Sequence, residues 1–218
     1  MGILTQRIES CVLIALLGSV SSRAFADPTI YRYELESSFL YVRLRPAATL
    51  LSGLSHRHIV RASSFEGSVS YDPDHPEQCA IELSFSVASL VVDAPSDRKR
   101  IGFQDILSES DRNDVRDNMM DDDQLNAAQH PMIRFSSRGC QKLADGRIQV
   151  DGGLTVRQKT APISVPLGVV FVDDMFHAEG ELVLPHSAFG FEPYSAALGT
   201  LKNHAELRFG IEITGVRK

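Results

Sequence analysis

Strict alternation of apolar and polar side chains constrains this chain more than any other feature it carries. Between Cys79 and Val87, the residues Ile81, Leu83, Phe85 and Val87 are apolar, while Glu82, Ser84 and Ser86 are polar. Successive side chains of an extended backbone point to opposite faces, so this segment is a strand with one dry face and one wet one. Ile133 and Phe135 repeat the pattern between Pro131 and Ser137. The intervening stretch, Ser96 to His130, is highly charged and holds nothing strand-like. The unit is strand, long polar helical excursion, strand.

The same alternation recurs along the chain. Ile30 to Leu35 sets Tyr31, Tyr33 and Leu35 on one face, and Phe39 to Leu44 is either a second strand or its continuation. A turn containing Gly53 leads into Ile59 to Tyr71, where Phe65, Gly67, Val69 and Tyr71 oppose Glu66, Ser68 and Ser70. After the excursion, Ile148 to Val156 is in phase, with Gly152 and Gly153 suggesting a bulge or sharp coil. Ile163 to Phe171 follows, and Pro166 within it points to an edge or a bulge. Phe176 to Leu184, a short Phe189 to Phe191 and Leu207 to Ile213 complete the set. In the excursion, Ser108 with Asp111 three residues on reads as a helix start, and Val115 with Met119 as an i, i+4 apolar pair. Asp123 caps a second short helix in this reading, with Leu125 and Ala128 inward and an end before Pro131.

About eight alternating strands with one helical insertion (about 105–129) describe an all-β fold, an antiparallel sheet closed into a β-barrel. A barrel of that strand number is either filled by its side chains or just wide enough for one slim ligand. Its inward phases contribute Phe65, Leu83, Phe85, Ile133, Phe135, Leu154, Phe171, Leu182, Phe189, Phe191 and Phe209. Their plainest reading is an ordinary packed core. The chain has no Trp, which leaves Phe and Tyr as the large fillers.

Residues 1–26 read as a secretory signal peptide rather than as part of the fold. Arg7 supplies the positive flank, Val12 to Val20 an apolar run too short to span a bilayer, and Ala24-Phe25-Ala26 a cleavage site. The expected mature chain, 27–218, is one domain located in the periplasm or secreted. Cleavage removes Arg7, Arg23 and Glu9, so 22 basic residues become 20, 28 acidic become 27, and the formal charge is −7. An acidic domain without a basic stripe argues against nucleic acid and against anionic membrane surfaces. Stable membrane insertion is not expected either, and a homodimer is left open.

Cys79 and Cys140 are the only cysteines after cleavage. On neighbouring antiparallel strands both sulfurs fall at the same end, and export permits a disulfide. Two free buried thiols are the alternative.

Candidates for chemistry are few. His56 and His58 share a face if extended and could offer two nitrogens to a metal, but no third ligand is placed by spacing. A pair of polar rim histidines beside Arg57 and Arg61 is the plainer account. Asp121 to Asp123 lacks the glycine and the closing glutamate of a calcium loop, so it reads as a solvated helix start. Nucleophile-elbow, zinc-protease, phosphate-loop, dinucleotide and Cys-x-x-Cys motifs are all missing. No enzyme, cofactor or metal is expected.

Several pieces, in order, resemble one family. They are Phe65-Glu66-Gly67, a strand ending in Ser89-Leu90-Val91, a charged helix, and Leu125 through His130-Pro131 to Ser137. Gly152-Gly153-Leu154-Thr155-Val156 with Thr160 and Val165, then Phe189-Gly190-Phe191, continue the series. Over about 30–216 the chain is similar to the YceI-like, polyisoprenoid-binding family. The resemblance implies a lipocalin-like barrel whose interior takes an isoprenoid, quinone or fatty chain, without catalysis. The lipid's head would then sit at the mouth, where His56, His58, Arg61 and Tyr194 are candidates. The family's usual acidic-x-His-Leu-Arg-like run is here Arg116 to Met120, and the linker Asp97 to Glu109 is longer. The alternative is a barrel that carries nothing and acts through a protein partner or a rim metal near His56 and His58.

Overall fold

The computed structural model describes residues 28–49 and 55–218. The leader, its cleavage after Ala26 and the turn at Gly53 lie outside the described residues. Chain order is β1 (Thr29–Leu44), β2 (His58–Ala62), β3 (Glu66–Tyr71), β4 (Ala80–Ser86), β5 (Leu90–Val92), α1 (Pro95–Arg100) and α2 (Glu109–Met120). Then come β6 (Met132–Lys142), β7 (Ile148–Val156), β8 (Lys159–Val172), β9 (Met175–Pro185), β10 (Ser195–Ala196), β11 (Leu201–Lys202) and β12 (Glu206–Arg217).

All pairings are antiparallel, and β1 closes on β12. β2 and β3 both pair with β1, at its two ends, so they act as one interrupted strand. β4 and β5 do likewise against β3 and β2. Counted this way the wall is a closed eight-strand barrel, as the alternation predicts. Phe39 to Leu44 continues the first strand across a register shift between Glu34 and Phe39. That shift swaps the faces: Leu35 is exposed, Leu40, Val42 and Leu44 turn inward, and Phe39 and Tyr41 pack outside with Ile59 and Ile101.

The glycine pair bears on a bulge, but on the partner strand. β6 carries the extra residue, Arg138, opposite Asp151 and Gly152. Gly152 is required because a Cβ there would come within 2.5 Å of the Phe135 ring. The other notable irregularity concerns Pro166. β8 pairs with β7 over its length from Lys159 to Leu167, but with β9 only from Gly168 to Val172. Pro162 and Pro166, which have no N–H to offer, both lie in the half without a β9 partner.

The barrel's two ends differ. At one, short turns join β3 to β4, β6 to β7 and β8 to β9. Here Cys79 and Cys140 form a disulfide, with Cα atoms 5.8 Å apart. At the other end lie the long connections, including residues 93–131. Ser108 caps α2 in a capping box with Asp111, and Val115 and Met119 pack on the main core cluster as their spacing predicts. The insertion departs from expectation in two ways. Residues 121–129 form turns rather than a second helix, leaving Ala128 exposed, and the additional helix is α1, upstream. Phe189 to Phe191 is likewise no strand. His186–Phe189 is a 3-10 turn ending at Gly190, whose φ of 77° is left-handed. The pattern misled because a turn folding Phe189 and Phe191 inward needs the same spacing as a strand.

Candidate functional site

The barrel is hollow. Its interior holds a cavity of about 280 Å³, against the ~150 Å³ at which an apolar engineered cavity already stays dry and binds benzene. The wall is built from the inward phases of all eight strands, with Met119 and Leu125 from the insertion and Phe189 and Phe191 from the 3-10 turn. Of the eleven side chains given above as the barrel's inward phases, all but Phe65 border it. Phe65 is buried in the core cluster behind, its ring 5.4 Å from that of Tyr33. Near the short turns, Phe171 stacks on Tyr71 at 5.2 Å, and Phe176 meets Tyr31 edge-on at the same distance.

Polar groups on this wall are rare. Tyr33 donates its hydroxyl to the Glu82 carbonyl at 2.9 Å, and burial, with Glu82 adding, holds its pKa far above the ordinary phenol value. Gln124 and His186 are the two buried polar side chains that reach the cavity among the described residues. His186 Nδ1 lies 2.8 Å from the Ala205 carbonyl, which can only accept, so Nδ1 carries the proton. Burial lowers the imidazole pKa, which outweighs that hydrogen bond and the charge of Glu192. The ring is therefore neutral at neutral pH.

The residues read as a mouth are placed elsewhere. His56, His58, Arg61 and Tyr194 do not border the cavity. Three of them make ionic contacts outside it that fasten the insertion to the barrel. His58 Nδ1 lies 2.6 Å from Asp93, and Arg61 Nε donates to Asp97 at 2.8 Å. Arg98 donates from one nitrogen to Asp93 and to the Arg57 carbonyl, both at 2.7 Å. Its other terminal nitrogen lies 2.7 Å from Asp105, which His56 meets at 2.9 Å. Asp93 is fully buried at a left-handed φ of 49° and also accepts from the Ile59 amide. Burial alone would raise its pKa. The hydrogen bond and charge of His58, the Ile59 amide and Arg98 outweigh that and hold it below the ordinary value.

Each histidine thus faces a different carboxylate, and among the described residues no three His, Cys, Asp or Glu side chains are grouped to hold a metal. Arg61 misses the cavity because it alternates with Val60 and Ala62, which do line it. The sequence reading did not find Asp93, Arg98, Gln124 or His186. They stand singly in segments without periodicity, and only Pro95 at the start of α1 gave a local signal for that element.

Comparison with known proteins adds the following. The family described as YceI-like domain matches residues 42–213. The crystal structure of Burkholderia cenocepacia BcnA superposes with a TM-score of 0.64 at 17% identity, covering 84% of this chain and 98% of that one. The Campylobacter jejuni YceI protein, crystallised with large solvent channels for nanotechnology, superposes with a TM-score of 0.54 at 13% identity, covering 73% and 84%. At such identities the likeness speaks for the barrel alone. No curated protein sequence matches this chain.

Proposed function

The chain belongs to the YceI-like family, and on that premise we propose that it binds and carries a long apolar molecule, an isoprenoid, quinone or fatty chain, inside its barrel. The observation that carries this reading is the cavity lined by apolar side chains from all eight staves of the barrel. Each CH₂ buried contributes about 0.8 kcal/mol, so ten of them supply about 8 kcal/mol before the costs of association. Such affinity requires no specific polar contact, which suits a wall with so few polar groups.

The same reading makes residues 27–218 one exported domain, after removal of a leader over 1–26. A disulfide between Cys79 and Cys140 suits an oxidising compartment. No helix among the described residues is long and apolar enough to cross a membrane. Solvent extraction of the purified protein followed by mass spectrometry tests the proposal. An apolar chain molecule recovered near one per protein is the expected result. A delipidated sample that takes up neither a prenol nor a fatty probe overturns it.

A further inference from the structure

The few polar atoms on the cavity wall say what kind of head the guest should carry. Gln124 and His186 are 9% and 2% exposed, and both border the cavity at its helix-covered end. Both have already spent their donors on backbone. Gln124 Nε2 lies 3.4 Å from the Asp123 carbonyl and 3.4 Å from the Glu192 carbonyl, which fixes the amide's orientation with its oxygen turned away from them. His186 gives its Nδ1 proton to Ala205, so its Nε2 is a bare lone pair. Among the described residues neither the Gln124 oxygen nor His186 Nε2 has a partner. The two stand on either side of one short segment: Gln124 bonds to Glu192, and the His186 ring meets that of Phe191 edge-on at 5.4 Å.

We propose that Gln124 and His186 form a head-group subsite of acceptors only, selecting apolar chains that end in a hydroxyl or N–H donor. This rests on the carrier reading above. A buried acceptor without a donor loses its hydration unrepaid, so a guest without a donor is discriminated against. Acceptor-only ends, such as ethers, esters or quinone carbonyls, would face two lone pairs. Anionic ends fare worse, because Glu192 is close enough to act on His186 by charge. The nearby cations do not border the cavity: Arg157 donates to the Asp123 and Gln124 carbonyls, and the Lys159 side chain lies against Gly190.

The test compares three probes with one chain and different ends: farnesol, farnesyl methyl ether and farnesoate. Each displaces a fluorescent fatty probe from the delipidated full-length protein. Farnesol is expected to bind about twofold to twelvefold more tightly than the ether, the range of one net hydrogen bond, and farnesoate most weakly. His186→Phe, which keeps a ring against Phe191, is expected to narrow that preference, because only the Gln124 oxygen is then left to accept. Because His186→Phe also removes the bond to Ala205, a second measurement uses the unaltered protein. The ¹⁵N resonance of His186 Nε2 should shift upfield on adding farnesol and stay in place with the ether. Equal affinities for alcohol and ether, or an Nε2 resonance indifferent to farnesol, overturn the subsite while leaving the carrier reading intact. Failure of all three probes to bind overturns both.

Discussion

The two ends of the barrel are closed by different physics. The short-turn end is closed by aromatic packing and a covalent bond: Tyr31, Tyr71, Phe171 and Phe176 touch one another, and Cys79 is tied to Cys140. The helix-covered end adds charge to the packing of Val115, Met119 and Leu125, through His58, Asp93, Arg98, Asp105 and His56 in sequence. Hydrophobic contact is non-directional and indifferent to pH, whereas a buried ion network is neither. One end should therefore yield to loss of a single charge or to acid, and the other to reduction.

The largest effect is expected from Arg98→Met, which leaves the Asp93 carboxylate buried without its guanidinium. Removing one partner of a buried pair costs about 3–5 kcal/mol, seen as a lower urea midpoint. An unchanged midpoint would break the contrast between the ends. Next comes the double replacement Cys79→Ala with Cys140→Ala. Opening a loop with a sequence separation of 61 costs up to about 4 kcal/mol in the chain-entropy model. Amide exchange should then rise at the short-turn end first, and a rise confined to α1 and α2 would contradict the division.

Acid sharpens the same contrast. A carboxyl whose folded pKa is depressed stabilises the fold above its unfolded value, ~3.9, and that contribution is lost as pH falls through the folded value. Asp93 is such a group. The Ile59 amide, which donates to Asp93, should lose protection below about pH 4, while amides of the β9–β12 ladder keep theirs. Uniform loss would show that the ends are not separable. The smallest effect is expected from Phe171→Ala. Phe171 is 42% exposed, so about 1 kcal/mol of aromatic contact is at stake, measurable as a modest fall in thermal midpoint.

The same contrast explains what could be read from the residues beforehand. Alternation revealed the strands, their inward phases and the barrel, because burial on one face of a strand imposes a period of two. It also located the pair Cys79 and Cys140, since both fall at strand ends. It failed where structure comes from isolated polar residues. Nothing about Asp93, Arg98 or His186 is periodic, and the groups that tie them to the barrel, on Arg57 to Ile59 and on Ala205, are distant in the chain, so their roles exist only once the barrel has brought them together. His56, His58 and Arg61 were recognised as a cluster at the rim but read as candidates for a ligand's head at the mouth, because spacing alone cannot say that their carboxylate partners come from the insertion. Leu35 was misplaced for a related reason: an irregularity between Glu34 and Phe39 resets the phase without any glycine or proline to announce it.

The half-paired boundary between β8 and β9 carries a last consequence. Along Lys159 to Leu167 the wall is held by side chains and by the 3-10 turn lying against it, not by rungs of the sheet. Parting the wall there would break no rung of the sheet. On the carrier reading a guest could pass this margin without unfolding the sheet, and the two prolines offer no N–H there with which to recruit a stray strand.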